Sequence, residues 1–460
     1  MADVLQLAEA SVDDDFFALG GDSIAAIMLC TAMRHRAYML RPAAVFSQRT
    51  PRAMAAQLAP FAAQEDAPAG AAPAPLALSA QQRELLLRRH GAYGEILPAL
   101  PLQEGMLFHA QTAQGQGSYN AFTLLHLDGD VDAARLHGAL CTVLRRYPQL
   151  AGMFDLDAAE QPLFLMPAQD AIPSWPWQQH DFGHLPLAEA QARLAGLQEE
   201  LLAQDGSTAR FGGMLQAALV KLAERRHALL LVVHHLVIDG WSTPLLLRDL
   251  LSAYGEPGVA LAPLRTSYAH LVQRLAQRDP VPAQAAWRED LAGAEPMLLF
   301  DAARASAPMQ EYTLQLPASL TARLQENLRA RGITLNVLMQ AVWGQVVGVL
   351  AGRDDVLFGS PVSGRHSEID GIEQQVGLFL NTIPVRTRLD AAQGLWEQLP
   401  ALQQRHVALM EHDGLGLAAI QREAGAAALF DTLLVVENYP DNAYLAQELP
   451  GPRRPAAAHW

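Results

Sequence analysis

The stretch LLLVVHHLVIDGWSTP, residues 229 to 244, decides how the fold of this chain is interpreted. Its run of Leu and Val predicts a strand over residues 229 to 238 that is buried on both faces. Neighbouring strand residues point to opposite faces, so we expect His234 to face packing and His235 to face a cavity. Asp239 and Gly240 then predict a turn. Histidines beside an apolar strand are also common without any function, so the rest of the chain must decide between the two interpretations.

The composition describes a folded protein with more than one domain. The chain has 460 residues, of which 50% are apolar and 18% charged, and this favours two or three globular domains. A net charge of −15 without a dense Lys/Arg stripe argues against a nucleic-acid partner. Cys30 and Cys141 form no CxxC motif, and we find neither a signal peptide nor an apolar run of membrane-span length. We therefore expect a cytoplasmic protein that does not contact a membrane.

Residues 1 to 58 centre on DDDFFALGGDSI, residues 13 to 24. Gly20 and Gly21 interrupt the chain, and Ser23 is predicted to open a helix. A serine at this place is a good helix cap, but it is also accessible for the attachment of a group. DDFFALGGDSI and the later PAAVFSQRTPRAMAAQL (42 to 58) resemble a peptidyl carrier protein domain of nonribosomal peptide synthetases. The resemblance implies a small four-helix bundle with 4′-phosphopantetheine attached to Ser23 by a phosphopantetheinyl transferase.

Residues 59 to 75 are rich in Pro and Ala and show no apolar periodicity. We predict a semi-extended linker that tethers the first domain within reach of its neighbour.

The remainder alternates helical and strand patterns. Helices are predicted over residues 131 to 147 and 245 to 254, and two helical runs separated by Gly332 are predicted over 320 to 350. Strands are predicted over 119 to 127, 356 to 359, 382 to 387 and 432 to 437. Such mixing over a long region indicates an α/β assembly of two lobes.

Several blocks of this region, taken in order, resemble a condensation domain of the same synthetases. VVHHLVIDGWS (232 to 242) has the HHxxxDG signature, and the other blocks are LPLQEGMLFHA (100 to 110), RRYPQLAGMF (145 to 154), SYAHLVQRLAQRD (267 to 279), AAWREDLAG (285 to 293), GSPVSGR (359 to 365), VGLFLNTIPVR (376 to 386) and FDTLLVVENYP (430 to 440). The resemblance implies a condensation domain over residues 76 to 460. Its expected fold has two chloramphenicol-acetyltransferase-like lobes in a V, with an active-site tunnel between them.

The implied reaction is peptide bond formation, in which an acceptor amine attacks a donor thioester. His235 is the expected catalytic imidazole, as a proton acceptor or a positioning group, and His234 is expected to be structural. The resemblance pairs Asp239 with Arg365 in a structural ion pair and makes the Gly240 amide a candidate donor to the reacting oxygen. Asn381 either lines the tunnel or satisfies backbone groups at a strand end.

The resemblance also implies partners. These are an upstream adenylation domain, a downstream acceptor carrier, and aminoacyl and peptidyl thioester substrates. The histidines, including His109, His126 and His412, lack metal-ligand spacing, so no metal site is expected.

Some positions depart from the family pattern. Tyr147 and Ala151 stand where the family usually has His and Arg. The sequence after ENYP does not look like a closing strand or helix, so we expect an incomplete second lobe. LPLQEGMLFHA, HHLVIDGWS and ENYP resemble the subclass that joins a D-configured donor to an L-configured acceptor. Asp22 before Ser23 resembles the carriers that precede an epimerisation domain. A dual epimerisation and condensation domain and a non-catalytic docking platform stay open as alternatives.

Overall fold

The computed structural model describes residues 1–5, 7–21, 23–60, 76, 78–110, 119–175, 177–204, 213–256, 258, 260–300, 310–365 and 369–437. They form two compact units. The discontinuous unit contains the described residues of 1–71, 279–370 and 380–438, and the central unit contains those of 72–278 and 371–379. Most of the predicted linker and everything after Glu437, including the expected truncation of the second lobe, lie outside the described residues.

Residues 1–60, here called the leading segment, fold around an aromatic core that includes Phe16, Phe17 and Phe46. Gly20 has φ of +97°, and a Cβ on Gly21 would overlap the Phe16 ring, so both glycines are needed for the close turn before the second helix. The elements are α1 (Ala2–Leu5), α2 (Ser23–Arg34), β1 (Tyr38–Met39), α3 (Pro42–Gln48), α4 (Pro51–Ala55) and β2 (Ala59–Pro60). The helix predicted to open at Ser23 is present, and the first two residues of the predicted linker pair with β1 as β2.

The central unit is built on two antiparallel-rich sheets covered by helices. Its elements are α5 (Ala80–His90), β3 (Tyr93–Pro98), α6 (Pro101–Ala110), β4 (Asn120–Asp128), α7 (Ala133–Arg146), β5 (Met153–Asp155), β6 (Leu163–Pro167), β7 (Gln178–Asp181), α8 (Leu187–Ala203), β8 (Leu215–Ala223), β9 (Arg226–His234), α9 (Ser242–Gly255) and α10 (Tyr268–Ala276). The four-stranded sheet has the order β4-β9-β8-β7, with β7 and β8 parallel, and the three-stranded sheet has the order β3-β6-β5.

Strand β9 is buried from Ala228 to His234, as its unbroken apolar run predicts. The predicted extent to residue 238 is wrong, because the strand ends at His234 and a 3₁₀ helix follows at His235–Val237. The Nδ1 atom of His234 accepts a hydrogen bond from the Leu236 amide at 3.1 Å and caps that turn. His235 therefore does not lie on a strand, and the argument from opposite strand faces does not apply to it.

The rest of the discontinuous unit, here called the C-terminal lobe, contains the described residues of 279–370 and 380–437. Its elements are α11 (Val281–Asp290), α12 (Ala318–Arg331), α13 (Leu335–Ala351), β10 (Asp355–Val362), β11 (Asn381–Arg388), α14 (Leu395–Leu409) and α15 (Leu417–Glu423). The two predicted helical runs are α12 and α13, and Gly332 ends the first with φ of +62°. β10 and β11 pair antiparallel along their full length.

The strand predicted over residues 432 to 437 is reduced to a single bridge between Leu433 and Gly359. The Gly359 amide donates to Thr432 O and the Leu434 amide donates to Gly359 O, both at 2.9 Å. This part of the chain thus makes one backbone bridge to β10, beside a hydrogen bond from the Ser360 hydroxyl to Leu434 O at 3.1 Å, and among the described residues it does not continue as a ladder.

Within the described residues, no single helix is both long enough and apolar enough to cross a bilayer. α12 and α13 meet that test of length and composition only together, as a pair bent by 109°.

Candidate active site

The tandem histidines have different environments. His234, the last residue of β9, is 5% exposed, and its Nδ1 accepts the Leu236 amide hydrogen bond. Burial, with a smaller effect from the charge of the neighbouring His235, lowers the pKa of His234 to about 4. His234 is therefore neutral near pH 7 and holds the turn that follows the strand.

His235 opens the 3₁₀ helix and is only half-buried. Its backbone amide donates to Tyr119 O at 2.8 Å, which keeps the turn tied to the segment before β4. Its Nδ1 lies 3.3 Å from Ile238 O. If we assign the proton to Nδ1 so that it donates to this carbonyl, the lone pair of the ring is on Nε2. This tautomer leaves Nε2 able to accept a proton.

Asp239 is 1% exposed and organises the turn after the histidines. Its Oδ1 accepts hydrogen bonds from the amide and the hydroxyl of Ser242, at 2.9 and 2.7 Å. Because Ser242 is the first residue of α9, these bonds fix the angle between the turn and the helix.

The same two side chains hold residues 371–379 in the central unit. Asp239 Oδ2 accepts from the Phe379 amide at 3.1 Å, and Ser242 Oγ accepts from the Gly377 amide at 3.0 Å. The indole of Trp241 donates to Glu373 O at 3.1 Å. These three hydrogen bonds hold residues 371–379 against residues 239–242, and in each of them the segment 371–379 contributes a backbone group.

Two buried side chains, Gln103 and Tyr268, lie beside the turn that follows the histidines. Gln103 is buried, accepts from the Leu100 amide at 2.7 Å and donates to Leu236 O at 2.6 Å. Burial raises the pKa of Tyr268, and the charge of Asp239 raises it further, whereas a hydrogen bond with Gln103 acts in the opposite direction. The phenol is protonated at neutral pH, so these two residues act as packing and hydrogen-bonding support.

The other predicted site residues lie as follows. Gly240 is half-buried in the turn after Asp239, and its role as a donor to the reacting oxygen stays a prediction. Asn381 is the buried first residue of β11, and its Nδ2 donates to Asp413 O at 2.7 Å and Leu415 O at 2.8 Å. These bonds match the strand-end alternative, and a role in a tunnel stays a prediction.

Arg365 is buried after β10 and belongs to the discontinuous unit, whereas Asp239 belongs to the central unit. The predicted ion pair between them stays a prediction.

Ser23, the predicted attachment residue, is the first residue of the 12-residue helix α2. The amino end of a helix carries partial positive charge and free amide groups, so it suits a phosphate ester. The backbone position therefore fits phosphopantetheine. The side chain of Ser23 and the whole of Asp22 lie outside the described residues.

Tyr147 and Ala151, which depart from the family pattern, are both buried. The Tyr147 hydroxyl donates to Asp249 Oδ2 at 2.8 Å, and the same carboxylate pairs with Arg146 at 2.7 Å. Burial, the largest effect, raises the pKa of Tyr147 to about 12. At this position the tyrosine joins α7 to α9.

Sequence reasoning missed Ser242, Gln103, Tyr268 and Phe379. A signal existed for Ser242, because it follows Asp239 by three residues just ahead of the helix predicted over 245 to 254, and this spacing is typical of a capping turn. Gln103, Tyr268 and Phe379 lie inside other motif blocks, but nothing in those blocks singles them out as neighbours of the turn after the histidines.

Comparison with known proteins identifies the family. The condensation-domain family model matches residues 94–453, and the phosphopantetheine attachment-site model matches residues 1–58. The chain belongs to the condensation-domain family.

Two curated relatives are similar to most of this chain. It is 41% identical over 372 residues to vanchrobactin synthetase VabF of Vibrio anguillarum, and the match covers 81% of the chain and 13% of that protein. It is 30% identical over 350 residues to tyrocidine synthase 2 of Brevibacillus parabrevis, and the match covers 74% of the chain and 10% of that protein. The chain therefore spans only a small part of the length of these relatives.

Solved structures show the same fold. The first condensation domain of the calcium-dependent antibiotic synthetase, in complex with a substrate analogue, has a TM-score of 0.62 at 22% identity and covers 78% of this chain and 83% of that chain. The X-domain from teicoplanin biosynthesis has a TM-score of 0.64 at 25% identity and covers 79% and 82%.

The predicted family is therefore confirmed: the chain has a phosphopantetheine attachment domain followed by a condensation domain, and the relatives that it matches are peptide synthetases. The α/β condensation-type fold is also confirmed. The V of two lobes, the tunnel and the boundaries at 58 and 75 stay predictions.

Proposed function

We propose that this chain carries an acyl or peptidyl thioester on its own leading segment and transfers it to an aminoacyl group on a downstream carrier. The acceptor amine attacks the thioester carbonyl, a C–N bond forms, and the C–S bond breaks. The proton lost by the amine ends on the thiolate that leaves. Phosphopantetheine on Ser23 supplies the thiol that holds the donor, while the residues of the chain orient the reactants and move this proton.

The contrast between the two histidines carries the proposal. His234 is buried, has a pKa lowered to about 4, and uses Nδ1 to cap a turn. His235 is half-buried, and its Nδ1 lies 3.3 Å from Ile238 O; with the proton assigned to Nδ1, the lone pair of the ring is on Nε2. We assign to His235 the acceptance of the amine proton, or a hydrogen bond that holds the amine in position for attack.

Asp239 acts by positioning. Its carboxylate accepts hydrogen bonds from Ser242 and from the Phe379 amide, and so it sets the direction of the turn that bears His235. We assign Arg365 as its ion-pair partner and the Gly240 amide as a donor to the carbonyl oxygen of the donor. The loss of a hydrogen-bonded buried carboxylate disturbs the turn, so an inactive Asp239 variant does not identify Asp239 as a catalytic residue.

The proposal extends to the surroundings of the site. Two lobes in a V would enclose a tunnel, lined in part by Asn381, that donor and acceptor arms enter from opposite ends. An upstream adenylation domain would load the carrier after a phosphopantetheinyl transferase has modified Ser23. The two buried free cysteines, Cys30 and Cys141, suit the reducing cytoplasm in which we place these partners.

We propose that the donor residue has the D configuration, because the motif blocks and the GGDS loop resemble those of D-donor synthetases. The test is to load the full chain through Ser23 with matched donors that end in a D- or an L-residue, and to add a charged acceptor carrier. Intact mass then follows the transfer, with Ser23→Ala as the loading control. The proposal expects faster transfer of the D-donor and none without Ser23. Deuterium uptake by an L-donor without acceptor would instead indicate epimerisation, and no transfer from either donor would indicate a docking platform.

A further inference from the structure

One arginine of the leading segment is buried although it lies at the end of a surface helix. Arg34 is the last residue of α2, and it is 4% exposed. Its Nε lies 3.1 Å from Asp370 Oδ1, and its Nη1 donates to Ile369 O at 3.1 Å. Both partners belong to the C-terminal lobe, so this buried arginine joins the leading segment to a part of the chain at least 335 residues away in sequence.

An apolar contact lies in the same interface. Val407 on α14 and Met410, just after that helix, pack against the hydrophobic core of the leading segment, which includes Val45 and Phe46. An apolar centre with charged groups around it is the usual anatomy of a specific interface between proteins.

Two further arginines of the leading segment reach the C-terminal lobe. Arg49 is held by Asp15 at 2.6 Å and donates to Gly332 O at 3.2 Å. Arg41 lies 3.3 Å from Glu411, and both of these side chains are exposed. In these contacts the leading segment contributes guanidinium groups and the lobe contributes only oxygen atoms.

The contacts differ in how much they can contribute to the binding and selection of a partner. Exposed ion pairs such as Arg41–Glu411 contribute little, because water and salt screen them. A buried guanidinium is different, because removal or reversal of its partner leaves a charge without compensation in a medium of low dielectric. Among the contacts of the described residues in this interface, we therefore expect that of Arg34 to discriminate best between partners.

We propose that Arg34 and Asp370 form the specificity anchor of a dock through which the leading segment delivers its donor to this condensation domain. This inference rests on the function proposed above and deepens it by naming the surface that selects the donor carrier. Arg34 is a positioning residue: it lies at the opposite end of α2 from Ser23, about 16 Å along the helix axis at 1.5 Å per residue. The dock thus holds one end of α2 and leaves the end that bears Ser23 free of the anchor.

The proposed anchor selects a carrier domain by the charge of one residue. Such a carrier has a guanidinium in the last turn of its second helix, where the helix dipole also favours a positive charge. A carrier with a carboxylate at that position would face Asp370 and be rejected.

The experiment is a charge swap in the full chain. Three variants are made: Arg34→Asp, Asp370→Arg and the double exchange. Each is loaded through Ser23, and single-turnover transfer to a charged acceptor carrier is measured by intact mass. We expect each single reversal to slow transfer by about thirtyfold or more and the double exchange to restore it to within about fivefold of the wild type.

The matched control is Arg36→Asp. Arg36 lies two residues beyond Arg34, its side chain is 64% exposed, and it pairs only loosely with Asp3 at 3.8 Å. Transfer by this variant should equal that of the wild type. Complete loading of Ser23 in every variant shows that the leading segment is folded, and Asp370→Arg leaves its sequence unchanged.

A second donor separates this proposal from the proposed function. The same acyl group is supplied as a free pantetheine thioester, which needs no dock. We expect the single reversals to use it as well as the wild type does. If the wild type uses neither donor, the proposed function fails. If the wild type transfers and the single reversals transfer at the wild-type rate, or if the double exchange shows no recovery, the anchor is overturned while the proposed function stands.

Discussion

The two histidines of the HHxxxDG motif have different roles because their environments differ. His234 is the last residue of β9 and is kept neutral by burial. His235 stands on a turn with one ring nitrogen near a carbonyl. Adjacent residues of the same type therefore differ in exposure and hydrogen bonding because the strand ends between them.

The low pKa of His234 makes a prediction about acid stability. The unfolded chain takes up a proton at this residue below its ordinary pKa of 6.5, whereas the folded chain does so only near pH 4. The stability contribution is therefore present at pH 7 and is lost as the pH falls from 6.5 to 4, by about 3 kcal/mol in total. His234→Asn keeps an acceptor for the Leu236 amide but does not titrate. Urea unfolding between pH 7 and 4 should show a shallower loss in this variant, and equal losses in both proteins would contradict the assignment.

Ser242 offers a second test at this scale. Ser242→Ala removes the hydroxyl that bonds Asp239 and accepts from the Gly377 amide. We expect the free energy of unfolding to fall by about 1–3 kcal/mol, because buried polar groups lose their partner. The control is Ser252→Ala, an exposed serine of the same helix, which should change stability by less than about 0.5 kcal/mol. Similar values for the two variants would mean that the hydroxyl does not hold the segment at 371–379.

At the scale of elements, local pattern located several helices and strands. α7, α9, α12, α13, β4, β10 and β11 all lie where periodicity and the Gly332 stop signal predict them. The end of β9 was placed four residues too late, since the apolar run continues through Leu236, Val237 and Ile238, although their backbone turns. The side-chain cap from His234 ends the strand, and hydrophobic periodicity does not register such a bond.

Glycines of two helices test the packing of α13 on its sheet. A Cβ on Gly344 would overlap the Thr387 side chain of β11, whereas the space around Gly138 of α7 is open. Gly344→Ala should therefore lower the free energy of unfolding by about 1–3 kcal/mol through overpacking. Gly138→Ala should raise it by about 0.5–1 kcal/mol, because alanine is the better helix former. Urea denaturation measures both, and stabilisation by Gly344→Ala would show that helix and sheet are not in close contact.

At the scale of the whole molecule, sequence reasoning identified the family and the order of its parts, because eight blocks and the carrier loop occur in order. It did not foresee that residues 371–379 belong to the central unit while their flanks belong to the other unit. The bonds from Asp239 and Ser242 to that segment join residues 135 to 140 positions apart. Contacts of this kind depend on the complete fold, and a single sequence has no local signal for them.

The same holds for the dock of the leading segment. Arg34 ends an ordinary amphipathic helix, and Asp370 follows a motif block by five residues, so neither residue stands out in the sequence. Only the folded chain brings the two together.

The central claim is that His235, and not His234, handles the amine proton during amide formation. The most direct measurement is the single-turnover rate of transfer from loaded Ser23 to an acceptor carrier, for the wild type and for His235→Ala. Urea unfolding with the same midpoint for both proteins shows that the variant is folded. A lost general base or positioning group predicts a rate lower by about 10²–10⁴-fold in the variant. Transfer by His235→Ala at a rate within about threefold of the wild type would contradict the account.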